Sequence, residues 1–128
     1  MRVLLDTQLL VWAAILPGRL SLAARAIIED AGNNLMFSPA SLWEVVIKRA
    51  LGRPDFQVDP RLLRRGLIEN GYVELPIASD HALAVDLLLP IHKDPFDRLL
   101  IAQALAEGLS FVTADVLLRG YPGDIWLV

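Results

Sequence analysis

The sequence predicts a three-layer α/β/α fold in which helices flank both faces of a short, mostly parallel central sheet. Short apolar runs with the character of buried strands alternate with longer segments of helical periodicity along the whole chain. Strands that are separated by helices pair in parallel, and the connecting helices cover the sheet. Because no internal repeat, low-complexity tract or long linker interrupts the 128 residues, we expect a single domain spanning residues 1–128.

The first half of the chain contains two predicted strands and four predicted helices. The strands are Val3–Leu5 and Leu35–Phe37. The helices are a segment from Leu9 through Ala13, Ser21–Ala31, Ser38–Leu51 and Pro60–Asn70. The third of these helices opens with Ser38 followed by Pro39, a capping residue followed by a proline at a position where its missing N–H costs nothing.

The second half adds a strand at Tyr72–Leu75, a helix that Ser79 caps and that runs through Leu88, and a final strand at Ile125–Val128. Its most informative stretch is residues 94–115. Asp94 is a predicted helix cap and Gly108 a predicted left-handed C-terminal cap. A short buried strand follows around residues 111–112.

Four acidic residues are predicted to lie where strands end or helices begin: Asp6, Glu44, Asp97 and Asp115. Each also has an ordinary structural explanation. Asp6 and Asp115 are suitable helix caps, Glu44 could complete a capping box with Ser41, and Asp97 is favoured by the helix dipole.

Taken together, these acids indicate a site, because the carboxyl ends of parallel strands lie along one edge of a sheet. Converging carboxylates repel one another, and a hard divalent cation with oxygen ligands relieves that repulsion. A magnesium or manganese ion held there can support phosphodiester hydrolysis, with a carboxylate that accepts the proton of water. Thr113 is either an accessory residue that orients Asp115 or a metal-bound water, or a simple strand-end residue.

Composition excludes several other chemistries. The chain has no cysteine, so disulfides, thiol catalysis and cysteine-ligated metal sites are excluded. The two histidines, His81 and His92, are isolated in the sequence, and we interpret both as surface residues. Any metal must therefore be held mainly by oxygen, which favours Mg²⁺ and leaves Mn²⁺ possible.

The net charge of −3 excludes a broad basic surface for nucleic acid. Six of the twelve basic residues nevertheless lie between Lys48 and Arg65, either as a solvated helix face or as a rim that binds phosphate. The hydrophobic fraction of 55% predicts that some surface is buried against another chain. No apolar run approaches the roughly 18 residues of a membrane span, and no signal peptide is recognisable, so we expect a cytoplasmic protein without membrane contact.

Four stretches, in this order, resemble one known family. They are VLLDT at residues 3–7, SLWEVVIK at 41–48, DPFDRLLIAQA at 94–104 and VTAD at 112–115. The combination resembles the PIN-domain ribonucleases, and most closely the VapC-type toxins of type II toxin–antitoxin pairs. This resemblance implies a PIN-like fold, a magnesium-dependent endoribonuclease that cleaves RNA, a homodimer, and inhibition by a cognate antitoxin.

The resemblance also implies functions for individual residues. The acidic site of the family corresponds to Asp6, Glu44, Asp97 and Asp115, with Thr113 as an accessory polar residue. Asp6, Asp97 and Asp115 are the expected metal ligands, and Glu44 is either a further ligand or the base that activates water. Asp94 also matches the motif but is better interpreted as the helix cap.

Three arginines are candidates for RNA phosphate contact: Arg49, Arg53 and Arg98. Arg98 could equally pair with an acid at the surface. The sequence departs from many relatives at Gln8, where a histidine is common, and glutamine cannot titrate. A role of this position in proton transfer is therefore in doubt.

Two other classes of function remain as alternatives. A non-catalytic interaction domain with the same fold would explain the apolar surplus. A receiver-like phosphoacceptor module has a similar length and acidity, but it needs an acidic pair at the first strand exit and a lysine late in the chain. Here Asp6 stands alone and no lysine follows Lys93.

Overall fold

A five-stranded sheet forms the centre of the computed structural model, which describes residues 1–128. The strand order is β3-β2-β1-β4-β5, and every neighbouring pair is parallel. In the register of the central strands, Leu4 pairs with Met36 on one side and with Phe111 on the other. The strands are β1 (Arg2–Leu5), β2 (Asn34–Phe37), β3 (Val73–Glu74), β4 (Ser110–Thr113) and β5 (Ile125–Leu127).

Six α-helices connect these strands and pack on both faces of the sheet. They are α1 (Thr7–Ile15), α2 (Leu22–Glu29), α3 (Pro39–Ala50), α4 (Pro60–Glu69), α5 (Ser79–Ala84) and α6 (Pro95–Glu107). Side chains alternate along β1, so Val3 and Leu5 join the core under α1, α2 and α4, whereas Leu4 joins the core under α6. The predicted three-layer α/β/α class is confirmed. None of the helices combines the length and the apolar character that crossing a bilayer requires.

The caps of α6 follow the sequence prediction. The Asp94 side chain accepts hydrogen bonds from the N–H groups of Phe96 and Asp97, and Pro95 occupies the first helical turn. Gly108 ends the helix with φ of 64°, the left-handed conformation that a residue with a Cβ adopts only at a cost.

Two predictions around α5 were wrong. Ser79 is the first residue of the helix and not its cap, and the α-helix ends at Ala84 before a short 3₁₀ turn over Val85–Leu87. His81, predicted at the surface, is only 1% exposed. Its Nδ1 accepts a hydrogen bond of 3.0 Å from the N–H of Ala78, so this ring satisfies the helix start where no serine or aspartate does.

Candidate active site

The four acids predicted from sequence line one pocket of about 330 Å³. Asp6 directly follows β1, and Asp115 lies two residues beyond β4, its neighbour in the sheet. Glu44 reaches the pocket from α3, and Asp97 from the first turn of α6. The parallel arrangement therefore places side chains from distant parts of the chain at the carboxyl edge of the sheet, because all its strands run in the same direction.

Asp6 is both a helix cap and a member of this pocket. Its Oδ1 accepts a 3.0 Å hydrogen bond from the N–H of Leu9, and its Oδ2 accepts one from the Thr113 hydroxyl. The Thr113 oxygen in turn accepts a 3.0 Å hydrogen bond from the N–H of Asp115. Burial raises the pKa of Asp6 to about 6 even though these hydrogen bonds oppose the shift. The Thr113 hydroxyl thus orients two acids. It donates to the side chain of Asp6, and it accepts from the backbone N–H of Asp115.

Asp97 is the pocket residue whose pKa is shifted furthest from its ordinary value. Burial, and then the negative charges of Asp94, Glu44 and Asp6, raise the pKa of Asp97 to about 8, and Lys48 only partly offsets them. Such a carboxyl group keeps its proton near neutral pH unless a cation compensates the surrounding charge. A positive ion close to Asp97 would therefore stabilise its ionised form.

Lys48 binds two of the acids that line the pocket. Its Nζ donates hydrogen bonds to Glu44 and, at 3.0 Å, to Oδ2 of Asp94. Although burial raises the pKa of Asp94, the hydrogen bond and charge of Lys48 and the cap hydrogen bonds bring that pKa below its ordinary value. Sequence reasoning placed Lys48 only in a basic stretch. Its spacing of four residues from Glu44 on one helix was the signal that could have identified the pair.

His92 also lines the pocket, so its predicted surface role was wrong. Its Nδ1 accepts a 3.0 Å hydrogen bond from the N–H of Asp94, and its Nε2 lies 3.4 Å from Oδ2 of Asp115 and 3.8 Å from Oδ2 of Asp97. Since Nδ1 is an acceptor, the ring proton resides on Nε2 and is directed towards these carboxylates. The position of His92 two residues before the Asp94 cap was the available signal.

The three candidate arginines occupy different surroundings. Arg53 lines the pocket, with its Nε 3.5 Å from Oδ1 of Asp55. Arg49 is exposed on the last turn of α3 and does not line the pocket. Arg98 is not a pocket residue either.

The guanidinium of Arg98 donates to the backbone carbonyls of Val85, Leu88 and Leu89 and to the hydroxyl of Tyr121. Its donors are used to fix the segment after α5 against α6. No ion pair forms at Arg98, and its contact to an RNA phosphate stays a prediction. The reason is tertiary, since the carbonyls that it binds belong to a turn whose path the sequence pattern did not reveal.

The donor atoms of the pocket fit a hard divalent cation. Possible ligand atoms within 4.8 Å of one another come from Glu44, Asp94 and Asp97. The carboxylates of Asp97 and Asp115 form a second such group beside His92, whose Nε2 carries its proton and therefore donates towards them instead of binding a metal. Glu44 is 3% exposed, and its Oε1 has no hydrogen-bond partner. A buried carboxylate oxygen without a donor is costly, and a cation with oxygen ligands would satisfy it.

The fold and this pocket define an α/β protein with a carboxylate-lined site at the carboxyl edge of a parallel sheet. The PIN domain family model matches residues 3–122, and the chain belongs to that family. Ribonuclease VapC22 of Mycobacterium tuberculosis (strain ATCC 25618 / H37Rv) is 31% identical to this chain in an alignment that covers 97% of this chain and 98% of that protein.

Solved structures share the same fold. One is the structure of VapBC2 from Rickettsia felis, bound to a DNA fragment from the VapBC2 promoter. It superposes with a TM-score of 0.72 at 15% identity, covering 99% of this chain and 98% of that chain. VapBC-1 from nontypeable Haemophilus influenzae superposes with a TM-score of 0.65 at 16% identity, over the same shares of the two chains. These similarities confirm the PIN-like architecture that the sequence predicted.

Proposed function

We propose that this protein is a metal-dependent endoribonuclease that acts as the toxin of a toxin–antitoxin pair, and that residues 1–128 form its single nuclease domain. The observation that carries the proposal is the convergence of Asp6, Glu44, Asp97 and Asp115 in one pocket of a PIN-domain chain. The similarity to a protein named as a ribonuclease, over almost the full length of both chains, supports the same activity.

Asp6, Asp97 and Asp115 are the proposed ligands of Mg²⁺, with Mn²⁺ as a substitute. When bound, this ion supplies positive charge that activates water and stabilises the phosphate in the transition state. A positive charge there would also offset the burial and the neighbouring negative charges that raise the pKa of Asp97. A neutral or positively charged pocket would have no such use for a divalent ion.

The remaining polar residues position substrate and water. Glu44 offers its unpaired Oε1 either as a further ligand or as an acceptor for the proton of water. Arg53, half-exposed at the pocket rim, is the proposed contact to an RNA phosphate, and Arg49 in the last turn of α3 is a second candidate. Gln8 lines the pocket with a buried Nε2 that has no partner, so it can donate a hydrogen bond to substrate but cannot transfer a proton.

The proposed partners are RNA, a cognate antitoxin and a second copy of this chain. The similar folds in Rickettsia felis and Haemophilus influenzae belong to VapBC structures, which supports an antitoxin for this chain too. Large apolar side chains such as Trp43, Leu51 and Leu87 are more than half exposed, which is consistent with burial in such interfaces.

The test is a cleavage time course on total cellular RNA with purified protein freed of any co-purifying partner. The wild-type protein is assayed with Mg²⁺, with Mn²⁺ and with EDTA, beside Asp97→Asn. The matched control is Asp80→Asn, the same substitution in the first turn of α5 at an acid that does not line the pocket, and this variant should retain metal-dependent cleavage. We expect discrete fragments that require metal and that Asp97→Asn does not produce.

Full activity in a folded Asp97→Asn protein would refute the proposed site, and cleavage that persists in EDTA would refute the metal requirement. Intact RNA in every lane, with protein shown to be folded and to bind metal, would favour the alternative of a non-catalytic interaction domain.

A further inference from the structure

The charges that line the pocket are strongly unbalanced. Six acids line it, and Lys48 and Arg53 are the only lysine or arginine that do so. Arg53 lies near Asp55, and half of its side chain is exposed. Lys48 is therefore the cation that reaches the inner acids. The acids are Asp6, Glu44, Asp55, Asp94, Asp97 and Asp115.

Several contacts fix the Lys48 ammonium in one place. It donates to Glu44 from one helical turn away and to Asp94 at 3.0 Å across the pocket. It also lies 4.9 Å from the ring centroid of Phe56 and 5.8 Å from that of Phe96, distances at which a cation is attracted to an aromatic face. The Lys48 side chain is only 16% exposed, so the ammonium is a built-in part of the pocket.

Two carboxylates share this ammonium. Glu44 and Asp94 both accept hydrogen bonds from Lys48, so one positive charge lies between two acids on this side of the pocket.

The carboxylates of the pocket form two groups that share Asp97. Glu44 and Asp94, the two partners of Lys48, complete the first group, and Asp115, beside the protonated Nε2 of His92, completes the second. Two-metal hydrolytic sites hold their ions about 3.5–4 Å apart, which two carboxylate groups this close together could accommodate. In this chain, the side of the pocket occupied by Glu44 and Asp94 already holds a cation that is covalently part of the protein.

We propose that the Lys48 ammonium takes the place of a second divalent cation and thereby limits the pocket to a single metal ion. Asp6, Asp97 and Asp115 would then hold that ion, as in the function proposed above, on which this inference rests. Lys48 is a positioning residue, because it acts through the two carboxylates that it binds.

The experiment counts bound metal ions in the absence of RNA. Metal-stripped full-length protein is titrated with Mn²⁺ by calorimetry, and the bound ions are examined by electron paramagnetic resonance, which detects spin coupling between two nearby Mn²⁺ ions. We expect one uncoupled Mn²⁺ per chain in the wild type. Lys48→Met, which keeps the length of the side chain and removes its charge, should bind two coupled ions.

Three further variants test whether the charge of Lys48 sets the number of bound Mn²⁺ ions. Lys48→Gln, which removes the charge but retains a hydrogen-bond donor, should also bind two ions and serves if Lys48→Met does not fold. Lys48→Arg keeps the charge and should bind one. Arg53→Met is the matched control, because it removes a rim cation that does not contact Glu44 or Asp94, and it should bind one.

Two ions in the wild type would overturn the inference, as would one ion in folded Lys48→Met or Lys48→Gln. The count is independent of cleavage. A wild-type chain that binds one Mn²⁺ but leaves RNA intact would therefore contradict the proposed ribonuclease and not this role of Lys48. A wild-type chain that binds no Mn²⁺ would contradict both proposals.

Discussion

Replacing Asp97 by asparagine should stabilise the metal-free protein at alkaline pH while removing a proposed metal ligand. In the unfolded chain, Asp97 ionises near its ordinary pKa of 3.8, whereas in the fold its pKa is about 8. Between these values the folded state binds a proton that the unfolded state has released. The free energy of unfolding of the wild type therefore decreases as the pH rises from about 4 to about 8.

The size of this effect follows from the shift. Each pH unit in that window costs about 1.4 kcal/mol, so the full shift of about four units corresponds to about 6 kcal/mol as an upper limit. The Asp97 side chain is 17% exposed. Because water and small rearrangements screen a partly accessible charge, we expect about half of that limit, on the order of 3 kcal/mol at pH 8. Because asparagine carries no charge, the free energy of unfolding of Asp97→Asn should not decrease in this way as the pH rises.

The assay is reversible urea unfolding in EDTA between pH 5 and pH 8.5, followed by tryptophan fluorescence. Asp97→Asn should become progressively more stable than the wild type as the pH rises. Asp94→Asn is the control at the same helix start. Asp94 has a lowered pKa, so its charge contributes stability at neutral pH that is lost in acid, and its replacement should destabilise the protein at pH 7.

A stability difference between Asp97→Asn and the wild type that does not change with pH would refute this reasoning. A variant that is less stable than the wild type at pH 8 would refute it as well. Either result would mean that Asp97 is charged in the metal-free fold.

Two other substitutions test the contacts around the site and the core. Thr113→Val removes the hydroxyl that donates to Asp6, so the pKa of Asp6 should rise further above its ordinary value. Because a metal binds the ionised carboxylate, Mn²⁺ affinity at pH 7 should then fall by about tenfold in a calorimetric titration. An unchanged affinity would argue against a link between the Thr113 hydrogen bond and metal binding. His81→Phe keeps the volume of the buried ring but loses its hydrogen bonds to the N–H of Ala78 and to Glu107, and should lower the free energy of unfolding by about 1–3 kcal/mol with no change in Mn²⁺ stoichiometry.

The short-range features of the fold could be predicted from the chain because they depend on neighbouring residues. A helix cap needs only a few consecutive residues, so Asp94 and Gly108 were recognised as the ends of one helix. The alternation of strands and helices likewise predicted the layered fold. It also placed Asp6 and Asp115 next to strand ends, which is where the structure has them.

The pattern could not show which side chains meet across the site. Lys48 binds Asp94, which is 46 residues away, and this contact depends on how α3 packs against α6. Arg98 and His81 have polar side chains for which the sequence suggested surface roles. In the fold, Arg98 donates to backbone carbonyls and His81 accepts from the backbone N–H of Ala78.

The sequence by itself thus determined the class of fold and the identity of the acids, because periodicity, caps and strand ends are local properties of the chain. Only the tertiary structure decided that a lysine occupies part of the acidic pocket, that His92 directs Nε2 towards Asp97 and Asp115, and that Arg98 faces inward. The physical reason is that the partners of a charged side chain are set by the packing of distant elements, which creates the buried environment in which those charges must be paired.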